Sequence, residues 1–275
     1  MARRGRRTLY TSIAVVALLA LVAAAAPLLV PFAPNEPLDI VNKNSLAPSF
    51  AHPFGTDPRS RDVLSRVLYG ARISLWIAGA SVAVALVVGS VFGAVAALAG
   101  GLVDGFMMRV LDILMAIPRL LILVAITALA TPFPLPLLIL VLGLTGWYDI
   151  ARLVRGELHG LMMRDFVLAA AASGVPRRRL LLRHLFPHLL PILSVSATLG
   201  VANSIALEAG LGYLGLGVQA PTASWGSILH DGMGRVETQW WLTLFPALAT
   251  AIAVVACNAL GDALRDVFAP EQVPA

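Results

Sequence analysis

The chain has 275 residues, of which 59% are hydrophobic and 13% charged, whereas an ordinary soluble domain has about 45–50% apolar and about 25% charged residues. Long apolar stretches recur with almost no charge inside them, which excludes a single soluble core behind a charged surface. The net charge of +5 does not indicate nucleic-acid binding, because most Lys and Arg residues lie beside or between the apolar stretches. The composition therefore predicts an all-α integral membrane protein in contact with membrane lipid.

Six stretches of the sequence are apolar enough to cross a bilayer, which takes about 20 mostly apolar residues in one helix. They cover residues 9–31, 73–99, 106–130, 135–150, 190–216 and 241–260. The fourth stretch is the shortest and begins in a turn region that contains Pro132, Pro134 and Pro136. We therefore predict six transmembrane helices.

The N-terminal stretch follows a group of basic residues, Arg3, Arg4, Arg6 and Arg7. By the positive-inside rule these place the N-terminus in the cytoplasm, and six spans then return the C-terminus to the same side. The stretch could also be a secretory signal, because it contains small residues at 23–26. Its apolar run exceeds the usual signal core of about 7–15 residues, which favours a retained first span.

The remaining loops test this orientation. The loop at 152–188 is rich in arginine and should be cytoplasmic. The predicted outer loops at 131–136 and 217–240 contain a single Lys or Arg residue, Arg235. The first outer segment disagrees with the rule. Its basic residues are Lys43, Arg59, Arg61 and Arg66. We interpret it as a small folded external segment that does not determine orientation.

The inner loop at 164–187 predicts two short helices with a break between them. Asp165 can cap the first helix, the alanines at 169–172 favour it, Gly174 suits a left-handed turn at its end, and Pro176 can open the next helix. A helix with a face of alanines presents a thin surface that can enter a groove on another protein. The alternative is a solvated linker between two spans.

The same loop contains Ala169-Ala170-x-x-x-Gly174 followed by His184-x-x-Pro187. This pattern resembles the EAA loop of ABC importer permeases. The Glu of the family pattern falls at Leu168 here, a departure that the peptide and nickel branch often has. In that family the first helix of the loop is the coupling helix, which docks on the ATPase subunit. The resemblance implies this coupling role for Phe166, Ala169, Ala170, Gly174, His184 and Pro187.

Three flanking segments, at 52–75, 214–226 and 240–266, resemble the C-type permeases of the dipeptide, oligopeptide and nickel group. Together the similar residues run from about His52 to Pro270. The resemblance implies a type I ABC importer permease fold with six transmembrane helices and a cytoplasmic coupling helix. It divides the chain into a cytoplasmic N-terminus with the first span at 1–31, an external segment at 32–71, an ABC transmembrane type-1 domain at 72–266 with its coupling loop at about 157–190, and a cytoplasmic tail at 267–275.

Function and partners also follow from the resemblance. The sequence has no GxxxxGK[ST] phosphate loop, so ATP hydrolysis is expected on other subunits and this chain is not expected to be an enzyme. The resemblance implies two ATP-binding subunits or domains, a second (B-type) permease and an external solute-binding protein. The implied cargo is a di- or oligopeptide or a related small solute such as a nickel chelate, carried across the bacterial plasma membrane.

Charged and polar residues near the spans are candidates for function, because an ionisable group in hydrocarbon usually faces a partner or a water-filled path. Glu208 follows a long apolar run that contains Asn203, and both are candidates for the translocation path. Arg109 and Asp112 are three residues apart and could pair at the membrane surface. Asp62 and Arg66 are four apart and could pair across one helical turn.

Four other residues have structural interpretations. Gly89-x-x-x-Gly93 allows close approach of another helix to the second span. Trp225 suits a membrane interface, where amphipathic rings anchor. Cys257 lies in an apolar run without a partner cysteine and is expected to be an inert packing residue.

Two other functional classes lack support in the sequence. An intramembrane hydrolase would need a GxSxG elbow or a zinc motif, and neither is present; His184 and His188 alone do not make a metal site. A stand-alone ion-coupled transporter or channel would need ionisable relays inside the membrane, for which Glu208 and Arg119 are the available residues. We therefore predict no catalytic residue, no cofactor and no metal.

Overall fold

The computed structural model describes residues 2–130, 133–176 and 179–268. Some sequence predictions fall on other residues. The predicted tail from residue 269 onward, Pro132 of the proline-rich turn, and the inner-loop residues Arg177 and Arg178 lie outside the described residues.

Within these ranges the regular structure is helical, which confirms the all-α class. The helices are α1 (Ala2–Leu29), α2 (Val63–Ala99), α3 (Gly101–Met115), α4 (Arg119–Thr127), α5 (Leu135–Leu144), α6 (Tyr148–Met162), α7 (Asp165–Ala172), a π-helical turn (Leu180–Leu185), α8 (Phe186–Tyr213), α9 (Trp225–Asp231) and α10 (Trp241–Phe268).

The membrane-spanning elements are of two kinds. Helices α1, α2, α8 with its preceding π turn, and α10 are each long and apolar enough to cross a bilayer. The pairs α3 with α4 and α5 with α6 meet the same test only together, and they are bent by 70° and 41°. Counting each bent pair as one span gives up to 6 spans, in agreement with the six predicted stretches.

The two bends differ from the continuous spans that hydropathy predicts. In the first pair Pro118 precedes α4, and a proline disfavours helical geometry in the residue before it. In the second pair α5 ends at Leu144 and α6 begins at Tyr148, with Gly146 between them. An apolar stretch therefore need not be one straight helix.

Helix α2 packs against α1, α5, α6 and α8. A Cβ atom added at Gly89 would lie 2.7 Å from the carbonyl oxygen of Trp147, and one added at Gly93 would collide with the carbonyl oxygen of Ala151. This confirms the close helix approach predicted for Gly89-x-x-x-Gly93, and it identifies α6 as the partner helix.

Two predictions about single residues have opposite outcomes. Cys257 is buried in an apolar cluster and is a free thiol, as its packing interpretation predicts. The prediction that Trp225 anchors at a membrane interface is wrong, because its side chain is only 1% exposed. Ser224 caps α9 and directs Trp225 inward, and the indole Nε1 donates a 3.1 Å hydrogen bond to the Val67 carbonyl of α2.

Candidate functional site

The predicted coupling helix forms α7 (Asp165–Ala172). Val167 is buried at 3% exposure and packs in an apolar cluster with Leu180 and Leu185 of the following turn. Phe166 and Leu168 on either side of it are 43% and 53% exposed, and Ala169 is also exposed. Val167, with the partly buried Ala170 beside it, thus anchors α7 to the bundle while most of the helix surface remains accessible.

The end of α7 has the predicted left-handed turn. Gly174 has φ +78°, and the Val175 N–H donates a 3.2 Å hydrogen bond to the Ala170 carbonyl, which is the bond that closes a Schellman-type helix end. Beyond the turn, the Leu180 N–H donates to the Pro176 carbonyl at 3.0 Å, so helical hydrogen bonding resumes from Pro176.

The other two candidate coupling residues lie on the element that follows. His184 is in the π-helical turn and is half-buried, and Pro187 is exposed in the first turn of α8. The Phe166 ring lies 5.3 Å from the His188 ring, which places α7 against the start of α8. Helix α7 is therefore in direct contact with the membrane-spanning α8.

Ion pairs join α3 to α6 at this end of the bundle. Arg155 donates through Nε and Nη2 to both oxygens of Asp104, and Arg152 Nη2 lies 2.6 Å from Asp112 Oδ1. The predicted pairing of Arg109 with Asp112 is wrong, because α6 packs beside α3 and Arg152 reaches Asp112 across the interface.

A cavity of about 330 Å³ lies between α2, α8 and the two bent pairs. Polar groups line part of it although the surrounding helices are strongly apolar. Its polar lining consists of Ser81, Arg119, Asp149, Ser196, Asn203 and Ser204. Of the two predicted path residues, Asn203 lines this cavity and Glu208 does not.

Arg119 joins the two bends that border this cavity. Its Nη2 donates to the Leu142 carbonyl at 2.7 Å and its Nε donates to Thr145 Oγ1 at 3.2 Å. The Gly146 N–H bonds to the Gly143 carbonyl rather than to Leu142, so the Leu142 carbonyl is left to accept from Arg119 and, at 3.3 Å, from Thr145 Oγ1. In the sequence, Arg119 was interpreted only as a charge within an apolar span. Its position directly after Pro118, where a bend is expected, is the signal that could have indicated its role at the bend.

Glu208 is fully buried where α2, α8 and α9 meet. Its Oε2 accepts a 2.9 Å hydrogen bond from Ser74 Oγ, and the same hydroxyl accepts a 3.2 Å bond from the Trp225 N–H. The carboxyl group therefore connects three helices.

A cluster of charges occupies the opposite end of the bundle from α7. Asp57 accepts from Arg61 Nε at 2.6 Å and from Arg66 Nη1 at 2.7 Å, and Asp231 of α9 accepts from the same two arginines. The predicted pairing of Asp62 with Arg66 is wrong. Asp62 instead caps α2, its side chain accepting from the Ser65 N–H at 2.8 Å, so Arg66 is left to reach across to the other acids.

The sequence of this bundle matches a known family. Residues 89–273 match the family described as the binding-protein-dependent transport system inner membrane component. Related proteins match over most of their length. A putative peptide permease protein of Brucella suis is 41% identical over 246 residues, which is 89% of this chain and 80% of the relative.

Two further relatives have more specific descriptions. The oligopeptide transport system permease protein OppC of Haemophilus influenzae is 37% identical over 232 residues, 84% of this chain and 74% of that protein. The dipeptide transport system permease protein DppC of Bacillus subtilis is 36% identical over 232 residues, 84% of this chain and 72% of that protein.

A solved structure has a similar fold. The MetNI methionine ABC transporter, in inward-facing conformations, contains a chain that matches with a TM-score of 0.59 at 18% identity, covering 75% of this chain and 97% of that chain. At this identity the similarity establishes the fold alone, which is that of a type I importer permease.

The apolar helices define a multi-pass membrane protein. The chain belongs to the family of binding-protein-dependent transport system inner membrane components, and it is a permease subunit of an ABC importer.

Proposed function

We propose that this permease carries di- or oligopeptides, or a related small solute such as a nickel chelate, and that ATP hydrolysis on two separate ATP-binding subunits or domains drives it. The cargo class is supported by the relatives, which are named for peptide, oligopeptide and dipeptide transport. The observation that carries the coupling mechanism is α7, a short helix anchored through Val167 with most of its surface free.

In this mechanism α7 docks in a groove of an ATP-binding subunit, where its alanines allow close approach. Closure of the ATP-binding subunits displaces α7, and the contact between Phe166 and His188 passes this displacement to α8. The residues proposed for coupling are Phe166, Ala169, Ala170, Gly174, His184 and Pro187. A ligand-driven switch of this kind requires two conformations to which the ATP-bound subunits bind with different affinity.

The proposed translocation path runs along the face of α8 that includes Asn203, with a second (B-type) permease forming the other wall. Asn203 lines the cavity beside the two bends, which supports this position. Glu208, further along α8, contributes by connecting this helix to α2 and α9 through Ser74. This connection keeps α8 attached to α2 and α9 when the path opens.

The proposed orientation places α7 and both termini in the cytoplasm of a bacterial plasma membrane. The arginine-rich α1 start and the arginine-rich loop around α7 support this by the positive-inside rule. The segment at 30–62 and α9 then lie together on the outer side, where an external solute-binding protein would deliver cargo. Their contact is seen in the hydrogen bond that Arg61 donates to Asp231, and Arg66 of α2 donates to the same carboxylate.

Purification of the tagged chain from its native membrane tests the proposal. Gentle extraction followed by mass spectrometry should recover a second permease and ATP-binding subunits. Ala169→Trp, on the exposed face of α7, should lose the ATP-binding subunits and keep the second permease. Ala33→Trp places the same bulk at another exposed alanine, at the opposite end of the bundle, and should keep both. A chain that purifies alone and moves solute without ATP would instead support an ion-coupled transporter.

A further inference from the structure

The cavity between the two bends holds two opposite charges that do not neutralise each other by direct contact. Arg119 and Asp149 both line it, and they interact electrostatically. Between these two described residues no ion pair forms, whereas Asp104 and Asp112 in the neighbouring α3 are each paired with an arginine of α6. Arg119 is partly buried and Asp149 is exposed, so both charges are accessible from the cavity to a partner that is not part of the chain.

The protein holds Arg119 in place and leaves part of it free. Nε and Nη2 are fixed on Thr145 and Leu142, and a Cβ atom added at Gly146 would lie 2.8 Å from Nη2, so the guanidinium is packed closely against the second bend. Nη1 donates to no described residue. One nitrogen of a positioned cation is therefore available to the cavity.

We propose that this cavity is a transient binding site for zwitterionic solutes, in which Arg119 Nη1 binds a carboxylate and Asp149 binds an ammonium group. The inference rests on the proposed function, since a peptide with free termini carries both groups. The cavity volume of about 330 Å³ suits a small solute. Broken spans in other transporters similarly leave charged and polar groups beside their substrates.

The geometry also limits how tightly the site binds. A guanidinium with all its donors free can bind a carboxylate through two parallel hydrogen bonds. Here Nε and one N–H of Nη2 are already engaged, which leaves the two N–H groups of Nη1 and one of Nη2 for a carboxylate. Permeation requires binding that favours entry and still permits release, and a guanidinium that already uses two of its five donors on the second bend binds a carboxylate less tightly than a free one.

The test uses the complete importer, with ATP-binding subunits, second permease and solute-binding protein, reconstituted in lipid vesicles. The measured quantity is the ratio of dipeptide taken up to ATP hydrolysed, for a dipeptide with free termini. We expect Asp149→Asn and Arg119→Gln to lower this ratio about tenfold each, because each removes one charge-assisted contact. Asp149→Glu and Arg119→Lys should restore part of it, since they keep the charge.

Asp262→Asn is the matched control, because Asp262 is an exposed acid on another spanning helix, outside the cavity. It should leave the ratio unchanged.

Arg119→Gln also removes the hydrogen bond to Leu142. If that variant fails to assemble, Asp149→Asn decides, since the Asp149 side chain makes no hydrogen bond to a described residue. If the wild-type importer takes up dipeptide and every Arg119 and Asp149 variant has the same ratio as Asp262→Asn, the inference is overturned and the proposed function stands. Absence of ATP-driven dipeptide uptake by the wild-type importer would overturn the proposed function and the inference with it.

Discussion

Arg66 Nη1 lies 2.7 Å from Asp231 Oδ2, a contact that joins the first turn of α2 to the last residue of α9. The same nitrogen reaches Asp57, and Arg61 bonds both acids, so two cations and two anions form a closed group. Three of the four side chains are almost fully buried. The group therefore fixes the segment at 30–62 on α9, and removing one member leaves buried charge without its partner.

Arg66→Ala should destabilise the protein strongly. Asp57 and Asp231 would each lose one of two arginine partners, and breaking a buried pair from one side costs about 3–5 kcal/mol. The thermal unfolding midpoint of the detergent-solubilised chain measures the effect. Arg59→Ala is the control, because Arg59 is exposed and makes no ion pair with a described residue. Equal midpoints for the two variants would show that the charge cluster does not stabilise the fold.

Gly93→Ala should disrupt the contact between α2 and α6. The added methyl would collide with the Ala151 carbonyl and lie 3.0 Å from Val154 Cβ, and overpacking of this kind typically costs about 1–3 kcal/mol. Gly79→Ala is the matched control in the same helix, since a Cβ there meets no atom within 4 Å. The thermal unfolding midpoint should fall for Gly93→Ala only. A midpoint unchanged in both variants would contradict the close packing described for Gly93.

Gly174→Val should impair coupling while the protein still inserts in the membrane. Gly174 has φ +78°, a left-handed conformation that costs a residue with a side chain about 1–2 kcal/mol. The end of α7 should shift, so transport-linked ATP hydrolysis by the assembled importer should fall. Gly234→Val is the control. Gly234 has φ +72° and, like Gly174, open space at its Cβ position, but it lies between α9 and α10. If both variants hydrolyse ATP equally, α7 is not the coupling element.

Ser74→Ala should destabilise the junction of α2, α8 and α9. It removes the hydroxyl that donates to Glu208 and accepts from the Trp225 N–H, and leaving buried polar groups unsatisfied costs about 1–3 kcal/mol. Ser81→Ala is the control, because Ser81 is also buried in α2 but its hydroxyl bonds, among the described residues, to Ala78 of its own helix alone. Unfolding midpoints should order as Ser74→Ala below Ser81→Ala, and the reverse order would contradict the role described for Ser74.

The same junction offers a second comparison at the carboxyl group itself. Glu208→Gln keeps an acceptor oxygen for Ser74 and should cost less stability than Glu208→Ala, which leaves a cavity and an unsatisfied hydroxyl. Unfolding midpoints again measure the difference. Loss of transport in Glu208→Gln with stability retained would show that the carboxyl group acts in transport as well as in packing.

The sequence by itself determined which stretches are apolar enough to span a membrane and where α7 and its terminal turn lie. Each depends on local properties: the length of an apolar stretch, the helix propensity of the alanines in α7, and the left-handed turn at Gly174, where glycine pays no steric penalty. The close approach at Gly89 and Gly93 was also predictable, because small residues one helical turn apart leave room for another backbone.

Only the tertiary structure decided which distant residues meet. Arg66 and Asp112 each had a candidate partner one turn away, but both pair across an interface to residues more distant in the sequence. Trp225 enters the core because α9 folds inward between α2 and α8, and Arg119 closes the end of α5 because two bends lie side by side. Local spacing cannot predict these contacts. A long, flexible side chain can reach several partners, and the packing of the helices decides which of them it meets.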